Sequence, residues 1–327
     1  MRFLQNFGRL SAHLQLLPVL ESGEETALVG GQAVMEGVMM RTPHSYAVAV
    51  RRPDGGLVTQ AAPLAKPAER YPLLRYPVLR GIGTLGQAMW LGVKALKFSA
   101  NVALEAEGQG GKRESVSDWA MGLNLAFSLG FFIFLYKFIP LWLTGWLEQV
   151  FPRIQGPVAF NFVDGVIRIA IFLTFLGILS RWRDIQRVFE YHGAEHKVVF
   201  NFESGRPVNV ANAQSFVTWH PRCGTSFLIV VMILSMLVYM VLPFQGFASK
   251  FAARILLIPV LAGVSYEVIR FAARRPGSLL AVVTAPGLWL QRITTRRPAD
   301  DQTEVAIRAL EEALALEQSQ GGPLVIA

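Results

Sequence analysis

The run from Thr225 to Leu242 contains no charged residue, and that feature limits the fold of this chain more than any other. A helix of about 20 apolar residues crosses the hydrocarbon core of a bilayer. Inside that core only helices and closed barrels satisfy their own backbone hydrogen bonds. Three further stretches have similar character. Trp119 to Tyr136 is apolar and closed by Lys137. Residues 158–180 carry Asp164 and Arg168 one helical turn apart. Residues 251–271 have Arg254 and Glu267 near their ends and Pro259 inside. With 52% hydrophobic residues, the chain is too apolar for an ordinary soluble domain. The expected fold is an α-helical multi-pass membrane protein with about four transmembrane helices.

The formal net charge is +8. A basic balance can signal nucleic acid, but in a membrane chain it marks cytoplasmic flanks. Lys112 and Arg113 precede the first run; Arg181, Arg183 and Arg187 follow the second; Arg270, Arg274 and Arg275 follow the fourth. The connections 142–157 and 243–250 hold only Arg153 and Lys250, with Trp142, Trp146 and Phe151 as a candidate interfacial belt. Both termini and the 181–224 loop are therefore expected on the cytoplasmic side of a bacterial inner membrane. The lipid bilayer is the expected partner. A protein partner could dock on the cytoplasmic face, and nothing in the sequence speaks directly for nucleic acid.

Outside the spans the pattern changes. Residues 1–24 read as an amphipathic segment, without the apolar core or cleavage site of a signal peptide. Residues 25–70 carry strand signals. Gly30–Arg41 is glycine-punctuated and apolar, and Ser45–Val50 and Leu57–Gln60 flank a Pro-Asp-Gly-Gly turn, which predicts a small cytoplasmic β element of about three strands. Residues 71–117 combine basic amphipathic helices, expected to lie along the membrane surface, with a polar linker. The helical core spans 118–275. In 276–327, Pro286-Gly287 breaks an apolar segment, suggesting an interfacial or re-entrant element. Val305, Ala309, Ala313 and Leu316 then form one stripe of a C-terminal amphipathic helix.

Chemistry concentrates between the second and third runs. Three of the five histidines and the single cysteine fall there, as His192-Gly-Ala-Glu195-His196 and His220-Pro-Arg-Cys223. On a helix, His192 and His196 share a face, with Glu195 adjacent. Helices on either side of a loop this size return to the same membrane face, so two imidazoles, a third from His220 and the Cys223 thiolate can meet. These are ligands that zinc favours, though the metal itself is not specified. Four protein ligands would make the metal structural. With one standing off, the open position could hold a water whose pKa falls towards about 7, and Glu195 would be the general base. Alternatively, Cys223 near a helix start and beside Arg222 could be a nucleophile for acyl transfer, with His220 as base. Glu36 and Arg41 are secondary candidates, either converging on this site or forming an exposed pair. Local hydrogen bonding of structural histidines is the plain reading against all of these.

The strings GGQAVMEGVMMR, YHGAEHKVVFNFESG, HPRCGTSF and PGLWLQRITTRRPADDQTEVAI resemble the YqhQ-like family, bacterial membrane proteins of unknown function, from about residue 28 to the final helix. The resemblance implies a multi-pass membrane protein and a metal-dependent enzyme, with no substrate named. Two functions are thus expected in competition. One is a membrane-embedded, zinc-dependent hydrolase with Glu195 as base, acting at the cytoplasmic face on a peptide or lipid-linked substrate. The other is a scaffold or biogenesis factor, in which zinc staples two helices and a basic surface docks a partner.

Overall fold

A computed structural model describes residues 29–107, 117–220, 223–242, 244–274 and 279–319. The amphipathic segment expected at 1–24, and Lys112, Arg113 and Arg275 among the flanking charges, lie outside the described residues.

Four strands, one more than expected, form an antiparallel meander in the order β1 (Gly30–Val34), β2 (Gly37–Arg41), β3 (Ser45–Arg51) and β4 (Leu57–Pro63). The extra strand comes from Gly30–Arg41, which folds back on itself. Val34 pairs with Gly37 across a two-residue turn, where Glu36 adopts φ 50°. Strands β2 and β3 are buried on both faces, which is why Tyr46 to Val50 is continuously apolar instead of alternating. Val38, Met40, Ala47 and Ala49 face one core, and Val34, Met39, Tyr46, Val48 and Val50 the other.

Helix α1 (Leu79–Glu107) supplies Leu91, Ala95 and Val102 to the second core. It is continuous through Gly81, Gly83 and Gly86. Its first turns lie close to a later helix, since a Cβ on Gly81 would meet Gly263 O at 3.0 Å. The apolar stretch starting at Trp119 does not stop at Lys137. Helices α2 (Asp118–Ile133) and α3 (Ile139–Val150) are joined by a π-helical turn, Phe134–Phe138, into one rod, Trp119–Val150. Trp142 and Trp146 therefore sit within this rod instead of in a connection. The lysine is tolerated because Lys137 Nζ reaches towards Tyr239 Oη at 3.5 Å. Helices α4 (Pro157–Leu179), α5 (Arg183–Glu203), α6 (Val210–Ser215) and α7 (Gly224–Val241) follow. Helices α8 (Phe247–Leu256) and α9 (Ile258–Arg274) are bent by 50° relative to each other, at the break ahead of Pro259.

Among the described residues, three helices are long and apolar enough to cross a membrane, or four if α8 and α9 are one broken span. Their large side chains point outward: Trp119, Phe127 and Val241 are more than two-thirds exposed. An apolar exterior of this extent marks a surface that meets a membrane or another protein. The opposite arrangement holds for Asp164 and Arg168. They are completely buried, and Arg254 of α8 binds the same carboxylate.

Helix α10 (Leu279–Thr294) runs through Pro286 without stopping. Gly287 lets it approach α7, where a Cβ would meet Ser226 at 2.5 Å. The C-terminal helix α11 (Asp300–Ser319) is amphipathic, as its stripe predicts. It buries Val305, Ala306, Ala309, Leu310 and Ala313 against the first face of the sheet and against α5. At about 1.5–3 kcal/mol for each large aliphatic chain, this burial ties α11 to the sheet. Thr42 Oγ1 and His44 N donate to Glu317 Oε2 at 2.6 and 2.8 Å, and Ser45 Oγ donates to Ala313 O at 2.7 Å.

Candidate metal centre

Helix α5 carries the centre, and it is buried all round from Gly193 to Asn201. The sheet covers one side, α11 another and the loop after α6 a third, which explains a helix with no continuous polar face. Two glycines allow this packing. A Cβ on Gly193 would lie 2.0 Å from Arg296 O, and one on Gly31 would lie 2.7 Å from Glu195 Cγ. Each motif thus has a geometric reason: the glycines of His-Gly-Ala-Glu-His and of Gly-Gly-Gln-Ala-Val let backbone and side chain approach closely.

One ligand atom each from His192, His196 and Cys223 lie within 4.8 Å of one another. His192 Nε2 is 3.2 Å from Cys223 Sγ. The orientation of both rings is set from behind. His192 Nδ1–H donates to Thr294 O at 2.8 Å, and His196 Nδ1–H donates to Thr218 O. A carbonyl can only accept, so both imidazoles are held as Nδ1–H tautomers with their Nε2 lone pairs turned into the cluster. Carbonyl support of this kind is what metal-binding histidines normally receive. His196 Nε2 is buried and makes no hydrogen bond of normal geometry; its neighbours are Cys223 and, at 3.4 Å, Glu195 Oε2. A buried lone pair without a donor costs about 1–3 kcal/mol, a penalty that a cation would remove. On that observation the residues present fit a metal ion.

Burial holds the His196 pKa below its ordinary value, opposed by the nearby Cys223 sulfur. Burial likewise lowers His220, to about 4, against the opposing charge of Glu195. Both rings are neutral at pH 7 and can act as lone-pair donors.

His220 stands one layer back from the cluster. Its ring lies 5.7 Å from that of His196 and 4.4 Å from Phe200, with Nε2 3.3 Å from Glu203 Oε2. Gln291 clamps its backbone in both directions. His220 N donates to Gln291 Oε1 at 2.7 Å, and Gln291 Nε2 donates to His220 O at 2.8 Å. Cys223 is the N-cap residue of α7, as a helix-start cysteine should be. Its near histidine is His192, not His220. Arg222 lies outside the described residues. Glu36 and Arg41 do not meet. Glu36 forms a two-pronged pair with Arg187 and accepts from Tyr191 Oη at 3.2 Å. Arg41 sits on the opposite face of the sheet from Met40, near Tyr266, and burial lowers its pKa.

Sequence reasoning missed Thr218, Gln291 and Thr294. Two of them act through backbone carbonyls, which leave no trace in residue type. Gln291 did carry a signal, as an amide beside Arg292 in the last turns of a mostly apolar helix.

Helices long and apolar enough for a membrane, a two-faced sheet and a His/His/Cys cluster where a loop enters α7 define the kind of protein this is. Residues 76–316 match the family described as Protein of unknown function (DUF1385), and the chain belongs to that family. It is 35% identical over 299 residues to the uncharacterized protein YqhQ of Bacillus subtilis (strain 168), a match covering 88% of this chain and 92% of that one. No solved structure matches.

Proposed function

We propose that this protein is a zinc-dependent hydrolase of the bacterial inner membrane, with both termini and the His/His/Cys centre on the cytoplasmic side. The observation that carries the proposal is the three-membered cluster with its two carbonyl-oriented imidazoles. Catalytic zinc sites use three protein ligands, whereas structural sites use four. His220, the fourth ligand a staple would need, is not in the cluster, and its ring Nε2 meets Glu203 instead. That favours the enzyme over a scaffold with a closed shell.

Zinc held by His192, His196 and Cys223 would supply Lewis-acid polarisation of a scissile carbonyl or phosphoryl group. Glu195, with its carboxylate beside the Nε2 edge of His196, has the place of a general base. In hydrolysis the water oxygen bonds to the electrophilic centre, Glu195 takes the proton released, and the leaving group takes that proton as its own bond breaks. Burial of Glu195 limits competing solvation of the carboxylate. The substrate expected is a peptide or lipid-linked molecule at the inner leaflet.

The test is cobalt substitution of the detergent-purified full chain. A thiolate-to-cobalt absorption band should be present in wild type and His220→Ala and absent in Cys223→Ala. Acetohydroxamate should alter the cobalt ligand-field bands, as it does only where a coordination position is free. A spectrum indifferent to acetohydroxamate, with the metal lost in His220→Ala, would establish the closed structural site instead.

A further inference from the structure

Beside the metal centre lies a separate open cavity of about 400 Å³, whose lining includes Lys197, Gln214, Thr218, Trp219 and Arg297. It shares a wall with the centre. Lys197 follows His196 in sequence, and the carbonyl of Thr218 is the one that accepts from His196 Nδ1. The volume suits a small organic ligand and is far larger than a bare ion needs.

Two cations and no carboxylate line it. Lys197 is 4% exposed, and its ammonium donates to Gln214 O at 2.8 Å and Phe216 O at 2.5 Å. Those acceptors are neutral, so the charge is hydrogen-bonded but not compensated. Arg297 is exposed and has no ion pair among the described residues. The acid closest in the network, Asp300, accepts from Gln214 Nε2 at 3.1 Å and does not line the cavity. A buried ammonium without a carboxylate partner and a guanidinium without an ion pair, lining one cavity, call for an anion. Phosphate esters are the anions that a guanidinium and an ammonium together recognise best.

The depth of the cavity points to the carrier of that phosphate. Trp219 stands a few residues before α7 begins its apolar course, and the Arg292 guanidinium lies 5.0 Å from the rings of both Trp219 and Trp289. Tryptophan with arginine at the end of apolar helices marks the level of lipid head groups. Basic pockets between such helices are head-group sites.

We propose that this cavity binds a phosphate ester, presented by an anionic lipid head group, through Lys197 and Arg297. The proposal rests on the membrane part of the preceding reading and names a substrate class for the adjacent centre, but it needs neither zinc nor hydrolysis.

The experiment is native mass spectrometry of the full chain in detergent, titrated with dioctanoyl phosphatidylglycerol or dioctanoyl phosphatidylcholine. Phosphatidylglycerol should bind in preference, and Arg297→Gln should weaken it about tenfold, the loss expected for one charge-assisted hydrogen bond. Lys197→Met should do the same where it folds; Arg297 is exposed, so its variant keeps the test decisive. Arg183→Gln, a cation outside the cavity, should leave binding unchanged. Displacement by glycerol 3-phosphate at equal concentration would assign the same chemistry to a soluble ester, and failure to displace would assign it to lipid. Equal binding of the two lipids, or an Arg297→Gln variant that binds as wild type does, would overturn the proposal. Running the titration in His192→Ala separates the outcomes: retained lipid binding with lost metal would leave this site standing while the hydrolase reading failed.

Discussion

Gly193→Ala offers the sharpest test of how the metal centre is built. A methyl group there would lie 2.0 Å from Arg296 O, a backbone atom, where real Cβ contacts essentially never fall below 3.0 Å. The gap between α5 and the 294–296 segment must therefore open by about 1 Å. That segment also hydrogen-bonds α5 directly, Arg296 N donating to Phe189 O at 2.9 Å. His192 is next to the substituted residue, and its Nδ1 reaches Thr294 O at 2.8 Å. An opening of that size stretches the bond beyond hydrogen-bonding range. Helix propensity acts the other way, since alanine is better than glycine by about 1 kcal/mol in a helix interior. Overpacking against an unyielding backbone costs about 1–3 kcal/mol, so the net stability loss should be no more than about 2 kcal/mol. Metal affinity should suffer more, falling about 10–100-fold as the support behind His192 is lost. Competition against a chromophoric chelator reads the affinity, and thermal unfolding in detergent reads the stability. Gly86→Ala is the control: α1 has open space there, and that variant should be stabilised. Unchanged metal affinity in Gly193→Ala, with a raised melting temperature, would refute the close approach and the role assigned to it.

Other consequences can be checked alongside. Asp164→Ala leaves Arg168 and Arg254 buried without their shared carboxylate and should cost about 3–5 kcal/mol, read as lost thermal stability or yield of folded protein. Gln291→Met keeps the shape but orphans the N–H and C=O of His220, and unfolding should come about 2–4 kcal/mol earlier with metal content preserved. For Glu317, burial raises the pKa, but hydrogen bonds from Thr42 and His44 outweigh it and leave the group below its ordinary 4.5. A depressed folded pKa stabilises the protein above the unfolded value and ceases to do so as pH falls through the folded one. Stability profiles of wild type and Glu317→Gln should accordingly differ most above pH 4.5 and converge in stronger acid.

Much of the architecture was legible in residue order because one-dimensional patterns carry it. A charge-free Thr225–Leu242 has one stable form, and Pro-Asp-Gly-Gly between β-prone runs has essentially one connection. The stripe of α11 likewise foretold a buried face. His192 and His196 were recognisable as neighbours because helical spacing alone puts them together, and Cys223 because both motifs flank the same ends of apolar runs. Tertiary structure decided what depends on partners distant in the chain. It carried the first apolar helix past Lys137, since Tyr239 lies there to meet the ammonium. It completed the Asp164 ion pair with Arg254, some 90 residues on. It drew Glu36 to Arg187 and left Arg41 on the other face of the sheet. It also brought three of the four candidate ligands together: Glu203 meets the His220 ring and Gln291 its backbone, while the carbonyls of Thr218 and Thr294 orient the other two rings. Side-chain identity and period are local properties that sequence states outright. Which backbone carbonyl stands behind which imidazole is a matter of long-range packing, and no local pattern encodes it.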